Sequence, residues 1–298
     1  MRLTIGLPVY NARRFLAGTL RSIFAQTYPD WELVIVDDGS TDGSAEIARA
    51  VRDSRVSVLC DGENRGLSGR LNQIAELARG QYLARMDADD LMHPDRLARQ
   101  VALLDAHREI DVLDTAIYSI DDDNAVRGVR GDVPLPVSPE TSLCRCLLHH
   151  PAVIGRTEWF RRNHYDPLYW RGEDHELWFR TLPYSRFDRI PEPLLFYREG
   201  RIGLDNYRGT ARTDRQLLRR FGPAVLGPWR TAFELARNWC RLAVVSGFTM
   251  AKADRFIIAR RNRPVRPETA AAASEVLRRI LRTPVPGLDD TSESRRAA

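Results

Sequence analysis

Apolar segments of strand length alternate with amphipathic segments of helix length over residues 1–120, and this pattern constrains the fold more than any other feature. Strands that alternate with helices in this way are typical of a doubly wound, mostly parallel sheet. We therefore predict an α/β fold with a Rossmann-like sheet. The predicted strands of this part are Leu3–Val9, Trp31–Val36, Val56–Cys60, Gln81–Met86 and Ile110–Tyr118, and a later strand is predicted at Pro193–Arg198. The predicted helices are Ala12–Gln26, Gly66–Ala78 and Pro94–Ala106. A further helix, which Ser40 or Thr41 could cap, follows the second strand.

The ends of these strands carry the polar residues from which a site can be built. Pro8 and Tyr10 lie at the end of the first strand, Asp38 follows the second, and Asp87-Ala88-Asp89-Asp90 follows the fourth. Ligands of open α/β sheets bind outside the carboxyl ends of the strands. The sequence therefore predicts one acidic crevice at this edge of the sheet.

Asp87 and Asp89 are separated by the single residue Ala88 after a buried strand, so their side chains point the same way. Paired carboxylates suit Mg²⁺ or Mn²⁺, hard cations that also bind phosphate oxygens of a substrate. Such a cation would neutralise the charge that develops on a departing diphosphate. The alternative is structural, with Asp89 and Asp90 capping the turn before Pro94. The second acidic strand end upstream favours the site.

The loop after the second strand offers a contact for a nucleotide. One carboxylate of Asp37-Asp38 could accept a hydrogen bond from a base or from ribose hydroxyls, or it could only cap the next helix. Pro8 and Tyr10 would frame the base by backbone contact and stacking. Neither a dinucleotide-binding glycine motif nor a phosphate-binding P-loop motif follows these strands. A metal ion would instead meet the phosphate charge.

Composition limits the kinds of partner and the cellular compartment that we expect for this chain. The formal net charge is +5, and the positive excess accumulates late in the chain, which argues against nucleic acid as a partner of the whole protein. The four cysteines show no zinc-site spacing, so we expect free thiols in a reducing compartment. The first residues enter a strand with no signal-peptide layout, and we expect a cytoplasmic protein.

Beyond these arguments, an ordered set of motifs resembles family 2 glycosyltransferases from the start of the chain to about Arg198. The matching segments are Leu7–Asn11, Ser22–Tyr28, Val36–Asp42, Asn64-Arg65-Gly66, Asn72, Met86–Asp90 and Pro94–Leu97. No single segment is diagnostic, but the set in this order is highly specific.

This resemblance implies a GT-A fold and an inverting enzyme that uses a nucleotide-sugar donor, with a UDP-sugar as the first choice, and a divalent cation. By position in the motifs, Pro8 and Tyr10 line the base pocket and Asp38 contacts the base. Asp87 lies by the ribose and diphosphate, and Asp89 binds Mg²⁺ or Mn²⁺. Arg65 stands where the family often has a basic donor contact.

An inverting transfer needs a base on the face of the sugar opposite the leaving group. Asp174, in Gly172-Glu173-Asp174-His175, resembles the family's Glu-Asp pair at the start of a helix. A helix N-terminus favours an ionised carboxylate, as a base requires. The structural alternative is an acidic helix cap, and the upstream motifs favour catalysis. Glu173 is the second candidate for the base.

One segment departs from the family pattern. Many relatives follow a Tyr-Arg pair with one residue and then a histidine that can approach the metal, whereas here Glu199-Gly200 follows Tyr197-Arg198.

His149 and His150, before Pro151, resemble a segment near the acceptor; core or solvated histidines are equally consistent with the sequence.

The resemblance and the patterning divide the chain. Residues 1–120 would form the nucleotide-sugar-binding half of a GT-A domain, and residues 121–205 the acceptor-binding and catalytic half. Residues 206–283 would form a helical extension, with a helix over Trp229–Arg261 that either lies on an anionic membrane surface or packs on the domain. The polar tail, residues 284–298, is predicted to be disordered.

The sequence thus predicts a glycosyltransferase that acts on a glycan or lipid-linked acceptor in the synthesis of a cell-surface polysaccharide, lipopolysaccharide or glycolipid. It would work in the cytoplasm, either free or peripheral on the inner face of the membrane. One alternative is a sugar nucleotidyltransferase, which would need a glycine-rich, lysine-containing phosphate loop. The other is a non-catalytic protein that binds nucleotide sugars as an assembly partner.

Overall fold

A computed structural model describes residues 2–200, 203–251, 253 and 261–289. Its strands are β1 (Leu3–Val9), β2 (Trp31–Asp37), β3 (Val56–Cys60), β4 (Tyr82–Arg85), β5 (Leu91–Met92), β6 (Val112–Ile120), β7 (Val126–Arg130), β8 (Ile154–Arg156) and β9 (Phe187–Arg198). Its helices are α1 (Arg13–Phe24), α2 (Ser44–Ala50), α3 (Gly66–Leu77), α4 (Arg96–Ala106), α5 (Pro139–Cys144), α6 (Thr157–Arg162), α7 (Glu173–Thr181), α8 (Leu204–Val225), α9 (Pro228–Met250) and α10 (Pro267–Leu281).

The nine strands form one sheet in the order β3-β2-β1-β4-β8-β6-β9-β5, with β7 paired to β6. Strands β3, β2, β1 and β4 run parallel, which confirms the α/β, mostly parallel sheet predicted from the sequence. Their carboxyl ends therefore lie along one edge. The antiparallel strand β8 lies between β4 and β6, an insertion that the strand–helix alternation does not predict.

Apolar clusters cover both faces of the sheet. One cluster packs α1 and α4 on the sheet through side chains such as Leu16, Leu20 and Leu104. The other packs α3, α6 and α7 on the opposite face, with Trp159 and Trp178 stacked at 5.8 Å between ring centroids. Helices on both faces are what a doubly wound sheet requires.

The predicted bounds of β9 differ from those observed. The sequence predicts a strand that starts at Pro193, whereas β9 starts at Phe187 and pairs with β6 on both sides of Pro191 and Pro193. The register shifts between Thr115 and Ile117 of β6. Proline cannot donate to the ladder, and such irregularities allow a strand to continue past it.

The predicted disordered tail is wrong for residues 284–289. Val285 is fully buried in the core, because its apolar side chain packs with α1 and the first strands. Asp289 forms an ion pair with Arg21 of α1 at 2.5 Å, and it accepts a hydrogen bond from the Val285 N–H. Residues 290–298 lie outside the described part of the chain.

The long C-terminal helix is shorter than predicted. It ends at Met250 as α9, and most of the predicted continuation to Arg261 lies outside the described residues. Within the described residues, every helix is too short or too polar to cross a lipid bilayer.

A buried ion pair links the neighbouring strands β6 and β9 in the second half of the sheet. Asp114 of β6 is directly opposite Arg189 of β9, and Arg189 donates to both carboxylate oxygens at 2.7 and 2.5 Å. The same carboxylate accepts the N–H of His149 at 2.6 Å, which positions the loop that precedes β8. Arg189 and His149 hold the pKa of Asp114 below its usual range against the opposing effect of burial.

We predict that Asp114→Asn lowers the free energy of unfolding by about 3–5 kcal/mol, because it leaves the Arg189 charge buried without its partner. Urea unfolding followed by circular dichroism measures this loss. The double variant Asp114→Leu/Arg189→Met should recover most of it, since it removes both charges. A loss below about 1 kcal/mol in the single variant would show that the pair does not stabilise the sheet.

Candidate active site

A cavity of about 890 Å³ lies at the carboxyl ends of the parallel strands. It brings together six of the seven residues predicted from the sequence, and these six are Pro8, Tyr10, Asp38, Asp87, Asp89 and Asp174. Arg65 is absent from its walls. The two halves of the chain therefore meet in one site, with the acidic strand ends on one wall and the start of α7 on another.

Two loops interlock on the β1 side of the cavity. The N–H of Asn11 donates to the Ser40 hydroxyl at 3.0 Å, and the Asn11 side chain accepts the Thr41 N–H at 2.9 Å. Asn11 has a φ of 49°, in the left-handed region that asparagine tolerates better than most residues. Tyr10, just before it, is 56% exposed and faces the cavity, where a planar base could stack on it.

Asp38 is buried and joins the β2 loop to α3. Its carboxylate accepts the backbone N–H groups of Arg65 and Gly66 at 2.7 and 3.1 Å. It also accepts a hydrogen bond from Arg70 Nε at 2.8 Å. Two of these three bonds fall on Oδ1, so Oδ2 has room for a further donor such as a base N–H. The contact between Asp38 and the base of a nucleotide therefore remains a prediction, and Asp38 Oδ2 is the atom that could accept the hydrogen bond.

The basic residue of this wall is Arg70 rather than Arg65. The Arg65 side chain is 47% exposed and pairs with Glu63 and Asp61 at 2.7 and 3.2 Å, away from the cavity. Arg70 is fully buried, lines the cavity and pairs with both Asp38 and Asp61. A sequence signal existed, because Arg70 lies at helical spacing among the apolar Leu67, Leu71 and Ile74.

The loop after β4 gathers three carboxylates. Oxygens of Asp87, Asp89 and Asp90 all lie within 4.8 Å of one another. Asp87 pairs with Arg85 Nη2 at 2.6 Å, and Asp90 Oδ1 accepts the Arg198 N–H at 2.7 Å. Oδ2 of Asp90 is buried and has no hydrogen-bond partner among the described residues.

The electrostatics of this cluster favour a cation. Burial, followed by the charge of Asp87, raises the pKa of Asp89 to about 6. Burial, together with Asp89 and Asp87, raises the pKa of Asp90 well above its ordinary value. Carboxylates that resist ionisation next to one another gain from a bound divalent cation. An all-oxygen donor set with an unpaired buried oxygen fits Mg²⁺ or Mn²⁺.

Arg198 holds this loop from the far side, a role that the sequence did not reveal. Its guanidinium donates to the backbone oxygens of Asp89 and Asp121 at 2.8 and 2.6 Å. It also stacks over Phe15, with 4.3 Å between the guanidinium carbon and the ring centroid. The Tyr-Arg pair thus positions the acidic loop although no histidine follows it.

The opposite wall of the cavity begins at Gly172. This residue directly precedes α7 and has a φ of 73°. Asp174 has a side chain 21% exposed, and its Oδ2 accepts the Cys146 thiol at 3.2 Å. Glu173 is more deeply buried, and its Oε1 lies 3.7 Å from His150 Nδ1. Burial, followed by the charge of Asp174, raises the pKa of Glu173 to about 7. Asp174 is therefore the carboxylate of this pair that reaches the cavity more freely.

The two adjacent histidines have different roles. His149 binds Asp114 through its N–H and contacts the Thr115 carbonyl oxygen through Nδ1 at 3.0 Å, so it belongs to the sheet. His150 lines the cavity, and its Nε2 is 2.8 Å from the Tyr165 hydroxyl. Burial, followed by the charge of Arg85, lowers the pKa of His150 well below its ordinary value, which keeps the ring neutral.

We predict that Glu173→Gln becomes progressively more stable than the natural protein as the pH rises from 5 to 8. The native protein keeps a proton on Glu173 that the unfolded chain releases, so its stability falls as the pH rises through the window between 4.5 and about 7. The difference in unfolding free energy should grow by roughly 2 kcal/mol over that range. Denaturant titrations at four pH values measure it, and a constant difference would contradict the buried, protonated Glu173.

Sequence comparison shows that this chain is similar to proteins named as glycosyltransferases. EpsE of Bacillus subtilis, named as a glycosyltransferase, is 38% identical over 145 residues, which cover 48% of this chain and 51% of EpsE. The Escherichia coli protein WfgD, named a UDP-Glc:alpha-D-GlcNAc-diphosphoundecaprenol beta-1,3-glucosyltransferase, is 31% identical over 101 residues, 34% of this chain and 40% of WfgD. The match thus spans about half of EpsE and two fifths of WfgD.

Solved structures share the fold. S. aureus TarS residues 1–349, solved with UDP, superposes with a TM-score of 0.60 at 18% identity, over 95% of this chain and 81% of TarS. The mannosyltransferase PcManGT from Pyrobaculum calidifontis, solved with GDP-Man and Mn²⁺, gives a TM-score of 0.53 at 20% identity, over 92% of this chain and 79% of PcManGT. The sequence model of glycosyl transferase family 2 matches residues 4–181, more than half of the chain. This chain therefore belongs to glycosyl transferase family 2.

Proposed function

We propose that the protein is an inverting glycosyltransferase that moves a sugar from a UDP-sugar to a hydroxyl group of a glycan or lipid-linked acceptor in cell-surface polysaccharide, lipopolysaccharide or glycolipid synthesis. One observation carries this proposal. A single cavity holds a cluster of oxygen ligands suited to a divalent cation and, on another wall, the carboxylate of Asp174. Transfer with inversion needs these two elements on opposite sides of the sugar.

The donor would lie along the β1, β2 and β4 ends. Tyr10 would stack on the base, Pro8 would border it, and Asp38 would accept its N–H. Asp87 would lie beside the ribose and diphosphate. WfgD carries a UDP-Glc donor in its name and TarS was solved with UDP, which supports uracil as the first base to test.

Asp89 would hold Mg²⁺ or Mn²⁺, with Asp87 and Asp90 adding negative charge around it. Mn²⁺ in the solved PcManGT structure supports this assignment. When bound, the cation stabilises the charge on the leaving diphosphate. The Arg198 guanidinium donates its hydrogen bonds to backbone oxygens and to Asn124, so it leaves the carboxylate oxygens available to coordinate the cation.

Asp174 would act as the base. Its carboxylate accepts the proton of the acceptor hydroxyl while the acceptor oxygen attacks the anomeric carbon and the bond from that carbon to the phosphate oxygen breaks. The nucleoside diphosphate leaves with that bonding pair. The Cys146 thiol donates to Asp174 Oδ2, which orients the carboxylate and leaves Oδ1 for the acceptor. Burial raises the pKa of Glu173 to about 7, so below that pH Glu173 is mostly protonated and adds little negative charge beside the Asp174 carboxylate.

The alternatives are less well supported. A sugar nucleotidyltransferase needs a glycine-rich phosphate loop with a lysine, and the β1 loop here is Tyr10-Asn11-Ala12-Arg13. A non-catalytic binding protein does not need a carboxylate opposite the donor loop, yet Asp174 is held there by a thiol.

We predict that Asp89→Ala and Asp174→Asn each reduce transfer at least about 100-fold, by different routes. Asp89→Ala should also abolish thermal stabilisation by UDP with Mn²⁺, because it removes the metal ligand. Asp174→Asn should keep that stabilisation, because it removes only the base. Release of nucleoside diphosphate from a panel of nucleotide sugars, with and without acceptor extract, measures activity.

Glu268→Gln is the matched control, because Glu268 is an exposed carboxylate at the start of α10, remote from the cavity. It should behave like the natural protein in both assays. If both Asp89→Ala and Asp174→Asn remained folded and kept normal transfer rates, the proposed function would be wrong.

The peripheral membrane location is part of the same proposal, and α9 supports it. Trp229, Phe233 and Val244 project from one face of this helix and are 89%, 64% and 56% exposed. Arg230 and Arg241 are exposed beside them. An exposed apolar face flanked by arginines suits an anionic lipid surface, into which the aromatic rings insert while the guanidinium groups meet phosphate.

We predict that the double variant Trp229→Gln/Phe233→Gln binds anionic vesicles of phosphatidylglycerol and phosphatidylcholine at least about tenfold more weakly than the natural chain, because it removes the inserted rings. Co-sedimentation measures binding. Leu168→Gln is the control, since Leu168 is 86% exposed but lies outside α9. Equal sedimentation of the double variant and the natural chain would exclude α9 as the membrane contact.

A further inference from the structure

The rim of the cavity beside Asp174 carries a large aromatic side chain that the proposed mechanism does not use. Trp170 lines the cavity and is 58% exposed. It lies in the loop before α7, four residues ahead of Asp174. An exposed tryptophan in a cleft is costly unless a ligand covers it, because its ring offers a large apolar surface to water.

The structure holds this loop firmly against α8. The edge of the Trp170 ring lies so close to Gly209 that a Cβ there would be 2.7 Å from Trp170 Cζ2. The Thr213 hydroxyl donates to the Arg171 carbonyl oxygen at 2.6 Å. One face of the ring system is therefore presented to the cavity by a fixed support, which lowers the entropy lost when a ligand binds.

Two arginines that line the same cavity as this ring are not held in ion pairs with described residues. Arg145 and Arg171 both line the cavity, and neither has a carboxylate partner within ion-pair distance among residues 2–200, 203–251, 253 and 261–289. By contrast, the buried Arg70 and Arg189 pair with aspartates. A guanidinium offers a planar set of N–H donors that matches a phosphate group.

The position of these residues separates them from the donor. Arg145 lies between Cys144 and Cys146 at the end of α5, and Cys146 contacts Asp174. Trp170 and Arg171 lie in the loop just before α7. The pyrimidine and diphosphate contacts argued above come instead from the ends of β1, β2 and β4. Trp170, Arg171 and Arg145 therefore border the side of Asp174, the proposed catalytic base, from which an acceptor would approach.

We propose that Trp170, Arg171 and Arg145 form the acceptor subsite, and that this subsite takes a sugar ring linked to a phosphate or diphosphate. The C–H face of a pyranose packs on the indole ring, and the two guanidinium groups bind the phosphate oxygens. The sugar hydroxyl that reacts then points to Asp174. This assignment rests on the proposed function for its role in catalysis, whereas the binding itself is independent of transfer.

The test uses hexose 1-phosphates and the matching methyl glycosides of glucose, galactose, mannose and N-acetylglucosamine as probes. Each is titrated into protein already saturated with UDP and Mg²⁺, a diamagnetic ion, so that the donor side is filled. Nitrogen-15 spectra follow the indole N–H of Trp170, which Trp170→Phe identifies. At least one 1-phosphate should shift this signal and bind at least tenfold more tightly than its methyl glycoside.

The variants separate the two kinds of contact. Arg145→Gln/Arg171→Gln should remove the advantage of the phosphate, and Trp170→Ala should weaken the 1-phosphate and the glycoside alike. Leu168→Ala, an exposed change two residues away, should leave both unchanged. The subsite is wrong if no 1-phosphate shifts the Trp170 signal, or if the double arginine variant binds the 1-phosphate as tightly as the natural protein.

The same samples distinguish this inference from the proposed function. Asp174→Asn should bind the 1-phosphate normally, because it retains the subsite. If the natural protein binds the 1-phosphate at Trp170 but releases no nucleoside diphosphate from any donor, the transfer reaction fails and the subsite stands. If transfer occurs and Trp170→Ala leaves the KM of the acceptor unchanged, the subsite fails and the transfer reaction stands.

Discussion

The architecture of the site depends on three carboxylates that the protein holds together against their mutual repulsion. Asp87, Asp89 and Asp90 approach within 4.8 Å on the loop after β4. Arg85 balances Asp87, and backbone hydrogen bonding holds Asp90, but one buried oxygen of Asp90 keeps no partner among the described residues. The fold thus bears an unfavourable concentration of negative charge at the place where a cation would remove it.

The parallel sheet brings this concentration of negative charge into a site, because it places the acidic loop and the start of α7 on walls of one cavity. Arg198 ties the acidic loop to the end of β9, and the Asp114–Arg189 pair ties β9 to β6. Glu173 and Asp174 are neighbours with different surroundings, since one is buried and the other reaches the cavity. Two adjacent carboxylates in unlike environments can divide the tasks of holding and accepting a proton.

Much of this arrangement could be predicted from the sequence because it follows from local periodicity. The bounds of β1 and β3 match the prediction, and the acidic residues that follow β2 and β4 lie in the cavity as expected. Local patterns do not specify pairing between distant segments, so the insertion of β8 between β4 and β6 was not predictable. The same limit explains the tail, where a single apolar residue, Val285, finds a place in the core.

The position of Arg65 outside the cavity walls has a related cause. Motif position identifies a loop but not the direction of a long side chain, and the nearby Glu63 and Asp61 draw the Arg65 guanidinium out of the cavity. Arg70 was recognisable only as a charge on the apolar face of α3. Helical periodicity is therefore the sequence signal that points to Arg70 as a residue of this cavity wall.

The most direct test of this account is the binding of Mn²⁺ itself, measured by electron paramagnetic resonance in the presence of UDP. The natural protein should bind one ion per chain, and Asp89→Asn, with an unchanged circular dichroism spectrum, should bind none at the same concentration. Equal Mn²⁺ binding by the two proteins would contradict the claim that the carboxylate cluster after β4 forms the cation site.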